Sequence, residues 1–125
     1  SHLGRDAIVA TTLLLATISE LNMQLSEIIK MLPKFFIVKD KVENNKISLK
    51  SLYEPILNSF KKSLCSISIE DGIKVTFPKN EKNEGAWVHI RKSNTEPIYR
   101  IYSESTSIRK SKLLIKKIKQ IIDLN

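Results

Sequence analysis

From Ala7 to Leu21 the chain is apolar nearly all round: Ile8, Val9, Ala10, Leu13, Leu14, Leu15, Ile18 and Leu21 leave no continuous polar stripe. This predicts a helix capped by Asp6, and one that needs cover on several sides. A shorter helix is expected from Ser26 to Leu32, with Leu25, Ile28, Ile29 and Leu32 to one side and Pro33 as its stop. Phe35 to Val38 reads as a strand. Lys39 to Lys46 is polar and reads as a loop. Ser48 is placed to cap a helix from Leu49 to about Lys62, with the stripe Leu52, Ile56, Leu57 and Phe60.

The period then changes to two. Ser66 to Glu70 alternates, Asp71-Gly72 is a turn dipeptide, and Ile73 to Phe77 alternates again. Pro78 to Gly85 reads as a polar loop. Trp87 to Arg91 is a strand with Val88 and Ile90 on one face, leaving Trp87, His89 and Arg91 on the other. Tyr99 to Ser103 is a further strand with Tyr99 and Ile101 inward. Ser107 or Thr106 is the expected cap of a last helix, whose stripe is Leu114, Ile115, Ile118, Ile121 and Ile122. Consecutive strands with short links favour an antiparallel sheet, and two amphipathic helices can cover one face of it. The expected class is α+β, with a domain boundary near Pro33.

Composition adds the sign of the partner. The 125 residues carry a net charge of +8, with 42% hydrophobic and 27% charged positions, a balance suited to a globular core. A positive field favours anions: nucleic acid, an acidic membrane surface or a phosphorylated small molecule. Of the 21 basic residues, only Arg5, Arg91, Arg100 and Arg109 are arginines. Arginine offers the planar fork that fits phosphate. The single cysteine, Cys65, excludes an internal disulfide and points to a reducing, cytoplasmic compartment. Cys65 itself reads as a structural thiol. The stretch Ala7 to Ile18 is too short and too rich in small and hydroxyl residues to span a bilayer, so no membrane partner is expected.

Two arginines bracket one loop. Arg91 ends a strand, Arg100 lies in the next, and Ser93, Asn94, Thr95, Glu96 and Pro97 stand between them. A phosphate monoester carries about −1.5 to −2 charge and needs donors from several directions. Guanidinium groups give charge-assisted bonds, while hydroxyls and turn amides supply the rest. Asn94 suits a left-handed turn position if one is needed. The same residues also suit a plain hairpin connection.

The segment Trp87-Val88-His89-Ile90-Arg91-Lys92-Ser93-Asn94-Thr95-Glu96-Pro97-Ile98-Tyr99-Arg100-Ile101 resembles the C-terminal signature of the α-D-phosphohexomutases, Arg-x-Ser-Gly/Asn-Thr-Glu-Pro, a short spacer and Arg. Asp71-Gly72-Ile73-Lys74-Val75 resembles the strand that precedes this signature. Gly4-Arg5-Asp6-Ala7 with its apolar helix resembles the last helix of the family's third domain, and Leu25 through Phe35 the link into the fourth. The resemblance covers nearly the whole chain.

The resemblance implies that residues 1–33 close domain 3 and residues 34–125 form domain 4. That domain would be TATA-binding-protein-like, with a four-stranded antiparallel sheet under two helices, preceded by one or two helices of the upstream domain. Arg91, Ser93, Asn94, Thr95 and Arg100 would grip the non-reacting phosphate of a phosphosugar while a phosphoserine elsewhere exchanges its phosphoryl group. The family's serine loop, its magnesium loop and its sugar-selecting loop have no counterpart here. The resemblance therefore places catalysis and Mg2+ in the upstream domains 1–3, with no catalytic residue and no metal in this chain. Glucose, mannose and glucosamine phosphates remain open as substrates. An alternative of another class is a stand-alone basic nucleic-acid module, using Arg109, Lys110, Lys112, Lys116, Lys117 and Lys119. The last helix lacks the interleaved aromatics such binding uses, and the leading expectation has no nucleic-acid partner.

Overall fold

The computed structural model describes residues 6–43, 47–63, 66–80 and 83–125. The expectations for Arg5 and Cys65 lie outside those residues. The chain divides into two compact units, residues 1–33 and 34–125.

The first unit holds α1 (Ala7–Leu21) and α2 (Leu25–Met31). Asp6 caps α1 by accepting from the amides of Ile8 and Val9 at 3.0 and 2.9 Å. The helix ends where Asn22 turns left-handed, at φ 47°. Glu27 starts α2 by accepting from the Gln24 amide at 2.8 Å. No residue of either helix is buried, and Ile8, Leu13 and Leu15 are among the exposed large side chains. The two helices meet at a bend of 92°, and no single helix among the described residues is long and apolar enough to cross a membrane.

The second unit is α+β. Its elements are β1 (Phe36–Glu43), α3 (Leu49–Phe60), β2 (Ser66–Ser68), β3 (Ile73–Asn80), β4 (Asn83–Lys92), β5 (Ile98–Ser105) and α4 (Ile108–Asp123). The strands form one antiparallel sheet in the order β1-β5-β4-β3-β2. The sheet thus has five strands where the resemblance implied four. The additional one is the three-residue β2, an edge strand paired with β3 that falls within the alternating stretch Ser66 to Glu70.

Alternation decides which face is covered. Ile73, Val75, Phe77, Ala86, Val88, Ile90, Tyr99 and Ile101 are buried, and so are Leu52, Ile56 and Phe60 of α3 and Ile115, Ile118, Ile121 and Ile122 of α4. Both helices therefore lie on one face. Phe60 meets Phe77 edge-on with ring centres 5.3 Å apart. Fully burying one such aliphatic or aromatic side chain contributes about 1.5–3 kcal/mol. Ser48 caps α3 by accepting from the Ser51 amide at 3.1 Å. Ser107 occupies the cap position of α4, but its side chain makes no capping bond. Ser105 and Ser111 take up the nearby polar groups instead, with their hydroxyls 2.9 Å apart.

Three sequence expectations change. The polar stretch after Val38 is strand as far as Glu43, paired with β5 from Phe36↔Ser105 to Glu43↔Ile98. Its polar residues are tolerated because β1 is an edge strand, and because Asp40 on its inward side meets Lys119 of α4 at 2.7 Å. The expected loop from Pro78 to Gly85 is mostly ladder, with Lys79↔Glu84 and Asn80↔Asn83 still paired. Pro78 has no amide to give, and Gly85 opposite it sits at φ +86°, so the irregularity is local. Finally, Asn94 is not left-handed: among the described non-glycine residues only Asn22 has positive φ. The five residues between β4 and β5 reverse the chain without such a position.

Candidate functional site

Antiparallel register sets the site. β4 and β5 pair Arg91 with Arg100 and Lys92 with Tyr99 at the loop end of their hairpin. Arg91 and Arg100 therefore stand side by side on the uncovered face of the sheet. Like charges directly opposite one another destabilise a ladder, so each arginine has an acid beside it. Asp71 Oδ2 lies 3.2 Å from Arg91 Nη1, and Glu96 Oε2 lies 3.2 Å from Arg100 Nη2. Asp71, and after it Tyr102, holds the Arg91 guanidinium above its ordinary pKa. The Arg91 guanidinium also sits 5.8 Å from the centre of the Tyr102 ring.

The loop closes between its ends. The Ser93 amide donates to the Ile98 carbonyl at 3.0 Å, and the Ile98 amide donates to Glu96 at 2.8 Å. Below the loop Tyr99 is buried, and its hydroxyl donates to the Ile47 carbonyl ahead of α3. The loop thus rests on the core through the residue next to Arg100.

Above this base is a polar cavity of about 260 Å³, lined by Asp71, Arg91, Lys92, Ser93, Asn94, Thr95 and Arg100. Ser93 is 6% exposed. Its hydroxyl is the one buried side-chain polar atom among the described residues with no hydrogen-bond partner. Leaving such a group unpaired costs about 1–3 kcal/mol. The motif residues Arg91, Ser93, Asn94, Thr95 and Arg100 all line this cavity. Asp71 and Lys92 line it too, and the sequence reading had not named them as site residues. From the sequence Asp71 is half of a turn dipeptide and the start of a segment resembling the strand that precedes the signature, with no contact assigned to it.

A larger cavity of about 570 Å³ lies near Leu49, Tyr53, Ile69, Gly72 and Ile73. It is mainly apolar, and its charged lining residues are one cation and one anion, Lys50 and Glu54. Size favours it, but the chemistry of the smaller cavity is the more specific. Among the described residues no group of three or more His, Cys, Asp or Glu stands ready to hold a metal. His89, on the same face as Arg91, donates through Nε2 to the Asp71 carbonyl. On α4, Lys117 donates to the Ser59 carbonyl at 2.6 Å and Lys119 pairs with Asp40, so part of the basic stripe is engaged within the fold.

No family model matches the chain. Three curated proteins do. A phosphoglucosamine/phosphogalactosamine mutase of Sulfurisphaera tokodaii is 28% identical over 120 residues, which is 95% of this chain and 25% of that protein. A phosphoglucomutase/phosphomannomutase of Thermococcus kodakarensis is 32% identical over 112 residues, covering 88% of this chain and 23% of the relative. A probable phosphoglucosamine mutase of Pyrococcus furiosus is 29% identical over 126 residues, covering 97% and 26%. The chain spans about a quarter of the length of the curated relatives it matches.

Proposed function

The chain is a relative of phosphohexomutases over nearly all of its length, and from that premise we propose that residues 34–125 are the phosphate-binding domain of such an enzyme. The observation that carries the reading is the buried, unpartnered hydroxyl of Ser93, a residue that lines one cavity with Arg91 and Arg100. A phosphate oxygen would accept from it and remove the cost of leaving it unpaired.

The residues divide the work by chemistry. Arg91 and Arg100 supply charge-assisted donors from two adjacent strands. Ser93 gives a neutral hydroxyl from below. Asn94 and Thr95 add an amide and a hydroxyl from the exposed part of the loop. Holding a remote phosphate in this way provides binding energy that orients the distant end of a sugar for reaction elsewhere. The parent enzyme would interconvert hexose 6-phosphate and hexose 1-phosphate in the cytoplasm. The reacting serine and the magnesium ion would lie in the rest of that enzyme, so this chain by itself would bind and not isomerise. The apolar α1 would take its cover from the same upstream portion.

Titration of the isotope-labelled chain with glucose 6-phosphate and with inorganic phosphate tests the reading. Amide shifts confined to residues 91–100 and the Asp71 turn are expected. Shifts running along Arg109 to Lys119 with an oligonucleotide, and none with either phosphate, would replace it with the nucleic-acid alternative.

A further inference from the structure

Asp71 presents a problem of sign. Its carboxylate lines a cavity otherwise rich in cations, where a negative charge opposes an incoming anion. The surrounding geometry gives a reason for its presence. Gly72 adopts φ +89°, and a Cβ there would lie 2.2 Å from the Ile90 carbonyl oxygen and 2.9 Å from the Arg91 Cα. Only glycine lets the turn between β2 and β3 press this closely against β4. The turn is then fastened at alternate residues of one strand face. His89 donates to the Asp71 carbonyl, and Arg91 donates to the Asp71 carboxylate. From the opposite strand Tyr102 provides a ring beside the same guanidinium.

The geometry points to Asp71 as a positioning residue that fixes the direction of the Arg91 side chain before phosphate arrives. This rests on the phosphate-binding reading of the cavity. The carboxylate contacts Nη1, and a guanidinium has five donors, so the hold leaves others for an anion. The mobile arginine side chain is ordered in advance, and binding need not supply that ordering. Tyr102 limits its swing on the remaining side.

The test compares two neutral replacements, Asp71→Asn and Asp71→Ala. Both remove the opposing charge, and only asparagine keeps an acceptor for Arg91. Asp71 is largely exposed in its turn, so neither variant should disturb the core. Calorimetric titration with inorganic phosphate should give Asp71→Ala roughly three- to tenfold weaker binding than Asp71→Asn, the scale of ordering one rotamer-rich side chain. The Arg91 Nε–Hε signal of the phosphate-free protein should be ordered in the parent chain and Asp71→Asn, and averaged in Asp71→Ala. Equal affinity of the two variants overturns the positioning role while leaving phosphate binding intact. An unchanged Arg91 signal in Asp71→Ala overturns it without reference to any ligand. Absence of phosphate binding by the parent chain defeats the underlying reading, and the positioning role falls with it.

Discussion

Buried serines occur at both ends of the β4–β5 pair, and their surroundings differ. Away from the loop, Ser103 donates to the Trp87 carbonyl at 2.8 Å. Ser111 donates to the Phe36 carbonyl at 2.9 Å, and Ser105 joins it, so β5, α4 and β1 are tied by hydroxyls. These serines are fully buried and every hydroxyl is bonded. At the loop end, Ser93 is nearly as buried and its hydroxyl has no partner. Folding alone explains the first group, since a bonded buried hydroxyl costs little. It does not explain the second, which carries a cost until something else accepts from it. The same residue type thus serves the fold at one end of the strands and, in the proposed function, a ligand at the other.

The comparison can be broken in several places. The largest effect is expected from Arg100→Ala, which removes a charge-assisted donor. Phosphate affinity should fall roughly ten- to hundredfold, measured by calorimetric titration, with little change in unfolding midpoint. Next is Ser111→Ala, which strips a donor from the Phe36 carbonyl. It should cost about 1–3 kcal/mol in urea unfolding and leave phosphate affinity alone. Ser93→Ala should do the reverse. Stability should stay within about 0.5 kcal/mol or rise, because an unpaired polar atom is removed, while phosphate affinity drops about tenfold.

The smallest effect concerns pH. Lys119, bonded to Asp40, holds that carboxyl below its ordinary pKa, and the Lys41 amide adds to this against the opposing effect of burial. A depressed carboxylate contributes stability that is present above its unfolded pKa of about 3.9 and lost as pH falls through the lower folded value. The pair is more than a third exposed, so the contribution should be under about 1 kcal/mol. Lys119→Met should flatten the stability profile in that acid range, and phosphate binding at neutral pH should not respond.

Local periodicity and capping residues made much of the fold legible. The stripes Leu52, Ile56, Phe60 and Ile115, Ile118, Ile122 face the core as their spacing requires, and Asp6 and Ser48 cap the helices they precede. The outer face of Trp87, His89 and Arg91 follows from alternation alone. What stayed hidden depends on partners distant in sequence. Lys39 to Glu43 looks like loop until β5 pairs with it and Lys119 meets Asp40. The ladder past Pro78 is carried by the register of two strands and not by either one. The site divides in the same way. The contiguous motif named Arg91, Ser93, Asn94, Thr95 and Arg100, but the reach of Asp71 to Arg91 depends on the close approach of Gly72 to β4. The unpartnered state of Ser93 can be seen only once the neighbours around it are in place.

The most direct test is to measure urea midpoints for the parent chain and Ser93→Ala, each with and without inorganic phosphate. A ligand that binds only the folded state stabilises it in proportion to its affinity. The account predicts that Ser93→Ala is at least as stable as the parent without phosphate and gains clearly less when phosphate is added. Equal gains in the two proteins, or a variant weakened equally with and without phosphate, would contradict it.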